Sequence, residues 1–220
     1  MALIAEDLLL LLLDDESGKV QGSDTAETAL GGAVLAELAI LGVVTIGERE
    51  SRWRAPKVTV TGPPPEDRVL ADAVEVVAEK DRAPQDLVNR LGKGLVATLG
   101  DRLTDRGILE RRESRLFGVL PRTRWPAADS TREEELRATL DAVLVQYDAP
   151  DDRTGALIAV LVAVDRAHKV VNGLSNREVK KRAKEVAELS RRLPAVDIVG
   201  GCCGTWDDHL GAIAQELRPV

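Results

Sequence analysis

Six consecutive leucines, Leu8 to Leu13, lie near the start of this 220-residue chain, with Glu6-Asp7 before them and Asp14-Asp15-Glu16 after. A helix that is apolar all round has no face to offer water, so the run predicts a first helix buried on every side, with other elements packed around it. It is well short of the roughly 20 residues that cross a bilayer. Nor does it read as a secretory leader, because two acids and no basic residue precede it and no small-residue cleavage site follows. Gly155 to Val164 is a second run without a polar residue, and it predicts the central buried helix of the fold.

Between these runs the pattern alternates helices with short β-branched segments. Leu30, Val34, Leu38 and Leu41 share one helical face before Gly42. Val43 to Ile46 and Lys57 to Thr61 then read as a hairpin with a long tip. Helices follow over Glu66 to Lys80, from Pro84 to Leu91, and through Leu95, Leu99 and Leu103 to a stop at Gly107. A second hairpin is expected from Ile108 to Leu120 with its turn around Glu113-Ser114, and a proline-bracketed loop from Pro121 to Ala128. Ser130 and Glu133 suggest a capping box for a helix with Leu136, Leu140, Val143, Leu144 and Tyr147 on its apolar side. Charged amphipathic helices over 176–193 and 205–217 close the chain. Apolar residues make up 44% of the composition and aromatic ones 2%, which favours helices over a β-sandwich. The expected fold is mainly α, a single domain over 1–220, with buried central helices surrounded by amphipathic ones and two β-hairpins.

Signs of catalysis are sparse. The two histidines, His168 and His209, are not spaced to share a helix face around zinc, and no phosphate-cradling loop with a lysine is present. Gly92 to Ala97 fits a dinucleotide fingerprint in letters only, because a helical pattern precedes it where a strand is needed. The adjacent Cys202 and Cys203 cannot join distant segments, which points to a reducing, cytoplasmic compartment and leaves their own role open. No enzyme, metal or cofactor is expected.

The charge distribution says more. The formal charge is −7, yet Arg106 to Arg124 holds six arginines and two acids, a local +4 that leaves −11 elsewhere. Arg111, Arg112 and Arg115 beside Leu116 and Phe117 suit anionic lipid headgroups and the acyl boundary beneath them. Trp125 follows the hairpin, and the first hairpin repeats the theme with Arg49, Arg52, Trp53 and Arg54. The same arginines could instead pair with acids elsewhere, and the pattern alone does not decide. A helix followed by a hairpin also resembles a winged-helix nucleic-acid reader or a protein-interaction module, although the acidic remainder opposes nucleic acid.

Four ordered blocks, Leu3 to Lys19, Leu30 to Val44, Leu103 to Leu109 and Thr154 to Ile158, resemble the Golgi phosphoprotein 3 family. High Ala, Val and Arg with few lysines suggests a bacterial, actinobacterial-type member. The resemblance implies an all-α fold, a non-enzymatic peripheral membrane protein, binding of phosphatidylinositol 4-phosphate, and a protein client, since the eukaryotic members hold glycosyltransferase tails. The positions of the family's lipid pocket fall on Gly22, Gly31, Lys93 and Val96, of which only Lys93 keeps a cation. The expectation is therefore docking on anionic lipid, with any phosphoinositide recognition resting on Lys93. The expected headgroup contacts are Lys93, Arg111, Arg112 and Arg115, and the expected membrane contacts are Leu116 and Phe117.

Overall fold

The computed structural model describes residues 2–47, 57–116 and 120–189. Helix α1 (Ile4–Leu12) is buried at all nine positions, as its leucines require. Helices α2 (Ser23–Ile40), α5 (Leu95–Asp105), α6 (Thr131–Leu144) and α7 (Asp152–Ala163) close around it. Helix α7 is buried from Gly155 to Leu161 and packs on α2 and on α8 (Asn176–Leu189). Helices α3 (Arg68–Ala78) and α4 (Pro84–Gly92) cover α2 from the other side. One hydrophobic cluster runs from Leu3 to Val186, in which each fully buried leucine contributes about 2 kcal/mol. The described residues thus form a mainly α fold around a central apolar helix.

The tightest crossing is between α2 and α4. A Cβ at Gly31 would collide with the Val88 carbonyl oxygen, and one at Gly92 with the Glu27 carbonyl oxygen. Only glycine at both positions lets the two backbones approach this closely. The letters of the dinucleotide fingerprint form the end of α4, a turn with Gly94 at φ +77° and the start of α5, so no strand feeds that turn.

Two antiparallel ribbons stand beside the helices. Strand β1 (Val44–Ile46) pairs with β2 (Val58–Val60), Val44 opposite Val60, and the residues expected at its tip, including Arg49, Arg52, Trp53 and Arg54, lie outside the described residues. Strand β3 (Arg112–Leu116) pairs with β4 (Leu120–Arg124). The turn expected at Glu113-Ser114 is not there, since both residues are paired inside β3 opposite Thr123 and Arg122, and the first half of the expected proline-bracketed loop, Pro121 to Arg124, is β4. Polar residues mark turns only when the flanking strands bury a face, and this ribbon is charged along its length.

The capping box expected from Ser130 and Glu133 does not form either. Asp129 accepts the Thr131 N–H at 2.9 Å, while Glu133 is buried and held by Arg137 at 2.6 Å. Tyr147 falls beyond α6, 64% exposed, with the Arg182 guanidinium 4.7 Å from its ring. The helix expected over 205–217 and the Cys202-Cys203 pair lie outside the described residues.

Candidate functional site

In an antiparallel ribbon directly opposed residues share a face and alternate residues switch faces. The register of β3 and β4 opposes Arg112 to Arg124 and Ser114 to Arg122, so Arg112, Arg122 and Arg124 share one face. Arg115 is paired with Pro121 and Leu116 with Leu120; the side chains of Arg115 and Leu116, and all of Phe117, lie outside the described residues. Arg122 and Arg124 were missed as candidates because the segment that carries them reads as a loop. Neither strand packs broadly on a helix, so the face is open at Arg112, while Arg122 and Arg124 are half-buried, Arg124 against the turn at Ser17.

Like charges directly opposed on a ribbon repel, and the arginines relieve this by turning apart. Arg112 pairs with Glu110 at 2.8 Å and holds that carboxyl below its usual range. Arg124 donates to the Ser17 carbonyl at 3.5 Å. Arg111 bridges Asp101 of α5 at 3.0 Å and Glu113 at 2.8 Å. Arg106, at the neck of the ribbon, reaches both carboxylate oxygens of Glu6 at 3.0 Å. The local +4 seen in the sequence is therefore reduced in space, because Glu6 and Asp101 come from outside the segment.

Lys93 is exposed at the end of α4. Beside it, the Gly94 N–H donates to Glu27 Oε1 at 3.0 Å, so a carboxylate already occupies the amide next to the lysine. Gly31 is buried under α4 and Gly22 is the N-cap of α2 with a left-handed backbone, while Val96 is half-buried in α5. Asp101, which holds Arg111, lies about 9 Å along α5 from Leu95, at 1.5 Å per residue, and Lys93 precedes that helix across the Gly94 turn. Trp125, which follows the ribbon, turns inward. It is 6% exposed, lies over Gly100 so closely that a Cβ there would come within 2.6 Å of its ring, and donates its indole N–H to Asp101 at 3.4 Å. It is a core residue.

The acids around α1 form a polar seam whose partners no local pattern marks. Glu6 is fully buried, accepts the Leu3 N–H at 2.8 Å and meets Arg102 at 2.7 Å. Arg102 also holds Asp67, the N-cap of α3, at 2.5 Å. Asp7 is gripped by Arg132 at 2.9 Å, and burial pushes its carboxyl above the usual range despite that arginine. Glu37 accepts the Ile4 N–H at 2.7 Å and pairs with Arg153. The signal that could have found them is the pair of acids abutting a buried leucine run, since buried carboxylates need cations.

No group of three metal-ligating side chains is found among the described residues, and none of the described helices is long and apolar enough to cross a membrane. Residues 4–202 match the family model described as Golgi phosphoprotein 3 (GPP34). No curated protein matches the chain.

Proposed function

Because the chain belongs to the Golgi phosphoprotein 3 family, we propose that it is a non-enzymatic protein that docks peripherally on anionic membrane lipid through the β3–β4 ribbon. The observation that carries this reading is the register that gathers Arg112, Arg122 and Arg124 on one face of a ribbon that no helix covers broadly. Arg111 adds charge at its base, and in sequence Arg115, Leu116 and Phe117 continue the segment with a basic residue and two apolar ones of the kind that enter the headgroup layer. Each basic residue near such a surface is worth about 1 kcal/mol, so three acting together strengthen binding on the order of a hundredfold. The exposed pairs of Arg111 and Arg112 do not oppose this, because pairs in water hold their partners weakly. Lys93, with Glu27 beside it, contributes general attraction and not a selective phosphoinositide pocket.

The nucleic-acid reading is not supported. Helix α5 would have to be the recognition helix, but its one arginine, Arg102, is bound to Glu6 and Asp67, and its outer residues include Asp101 and Asp105.

Flotation with vesicles tests the proposal. Binding is expected to phosphatidylglycerol-containing vesicles and not to pure phosphatidylcholine, to weaken with salt, and to drop in Arg112→Gln/Arg122→Gln. Equal binding to neutral and anionic vesicles at low salt would sink it.

A further inference from the structure

Helix α7 is closed at its C-terminus by two backbone bonds, from the Asp165 N–H to the Val162 carbonyl at 3.0 Å and from the Arg166 N–H to the Leu161 carbonyl at 2.7 Å. Asp165 adopts φ +53° in this closure, a left-handed backbone that glycine usually supplies. What aspartate adds there is a carboxylate that ties α7 to α8. Lys180 of α8 lies 2.9 Å from its Oδ1 and donates to its Oδ2 at 3.0 Å. A short 3₁₀ turn, Ala167–Lys169, follows and packs on both α7 and α8. It carries His168, whose side chain is only 10% exposed. The imidazole Nδ1 is buried with no hydrogen-bond partner, and the nearest carboxylate oxygen, Asp165 Oδ1, is 3.8 Å away, beyond bonding distance.

A neutral imidazole suits this place and an imidazolium does not. Burial withholds the water that would solvate the charge, and the charged groups around the ring are mostly of the same sign. Lys180 faces it from α8, Lys169 and Arg166 from its own turn, and Asp165 is the acid that opposes them. That acid is already engaged by Lys180 and is faced by Lys184 as well. Helix α7 brings no titratable group between Arg153 and Asp165. From α6, Arg137 reaches the Val170 carbonyl just past the turn at 3.2 Å, a further cation. Burial first, then these cations, hold the proton affinity of His168 below the ordinary 6.5. The folded state therefore holds this proton less tightly than the unfolded one, so the stability that the neutral ring supports falls as pH drops below about 6.5 and levels off past the lowered value. The loss falls on the turn and on α8, which packs on α7, on the turn and on α6.

We propose that His168 is a pH-sensitive latch, which when neutral lets the 167–169 turn close against α7 and α8 and when protonated loosens the turn and α8 from α7. Opening exposes the apolar stripe of α8, Val179, Ala183 and Val186, which is buried in the closed fold. The inference goes beyond the membrane reading and does not depend on it, since the latch requires no lipid.

The full chain is followed by NMR between about pH 7.5 and pH 5.5. The imidazole Cε1–H resonance of His168, told from that of His209 by through-bond connection to its backbone, is expected to titrate with a midpoint below 6.5. In Lys180→Met the midpoint is expected to rise, because the cation of α8 is gone and Asp165 is left to the imidazole. Opening constants from amide exchange, corrected for the intrinsic pH dependence of exchange, are expected to increase about threefold or more over this range at residues 167–171 and 179–187, within the tenfold per pH unit that one proton allows. In His168→Gln, whose amide dispersion confirms folding, that increase is absent, while amides of α3 and α4, on the far side of α2, behave as in the parent. A midpoint at or above 6.5, a midpoint that Lys180→Met leaves in place, or an equal increase in exchange in His168→Gln would overturn the proposal whether or not the ribbon binds membrane.

Discussion

The seam around α1 and the β3–β4 ribbon are made of the same chemistry, arginine against carboxylate, at the same distances. Arg102 meets Glu6 at 2.7 Å and Arg132 meets Asp7 at 2.9 Å; Arg111 meets Asp101 at 3.0 Å and Arg112 meets Glu110 at 2.8 Å. The difference is water. Glu6 and Asp7 side chains are 0% and 8% exposed, whereas Asp101 and Glu110 are 44% and 55% exposed. Away from solvent a charge without its partner is costly, so the pair is fixed. In solvent the same pair is nearly neutral in energy and can be exchanged for another anion. Distance identifies an ion pair, but burial decides whether it belongs to the architecture or is available for binding.

The largest effect expected from this contrast is at Glu6. Replacing it with alanine strands Arg106, leaves Arg102 with Asp67 alone, and leaves the Leu3 N–H without its acceptor. Breaking a buried pair costs about 3–5 kcal/mol. The low end is expected here, because both arginines keep some access to water. The urea midpoint of Glu6→Ala against the parent chain measures it. A loss below about 1 kcal/mol would put this pair in the same class as those of the ribbon.

The seam also shows what could be read from the residues and what could not. The leucine run requires a buried helix whatever surrounds it, because no rotation of α1 gives it a wet side; α7 is legible for the same reason. The partners of its acids are not legible. Arg106 lies 100 residues from Glu6 and Arg132 lies 125 from Asp7, and no local pattern links them. The ribbon failed differently. Its charged segment is visible as composition, but with no apolar face there is no alternation to fix the turn, so the segment of Arg122 and Arg124 reads as a loop. Trp125 shows the converse error, an aromatic beside a basic hairpin that turns out to be held by Gly100 in the core.

A smaller and pH-dependent effect is expected at Asp7. Burial raises its carboxyl above 3.8, the unfolded reference, so the folded state holds that proton more tightly than the unfolded one. Stability from this group is then greatest in acid and falls as pH rises from about 4 through the raised value. Asp7→Asn cannot titrate and escapes that fall. The difference in urea midpoint between parent and Asp7→Asn should therefore move against the parent between about pH 4 and pH 7. Movement in the parent's favour would mean that Arg132, not burial, dominates the site.

The smallest stability effect belongs to Arg111, and that smallness is what the membrane reading requires. Its pairs with Asp101 and Glu113 are both exposed, so Arg111→Gln is expected to change stability by at most about 1 kcal/mol. Its partner Asp101 also accepts the indole N–H of Trp125, which makes that buried ring a reporter. When Arg111 leaves Asp101, whether by substitution or by transfer to a lipid phosphate, the carboxylate is freed to strengthen its bond to the indole. In a Trp53→Phe/Trp206→Phe background, which leaves Trp125 as the one tryptophan, emission should then shift on adding phosphatidylglycerol vesicles, and adding Arg111→Gln should give the vesicle-bound emission before any lipid is added. If the parent binds vesicles with no change in emission while Arg111→Gln alone shifts it, the Arg111 pair stays closed on the membrane. The ribbon would then bind through Arg112, Arg122 and Arg124 alone, with Arg111 grouped energetically with the seam.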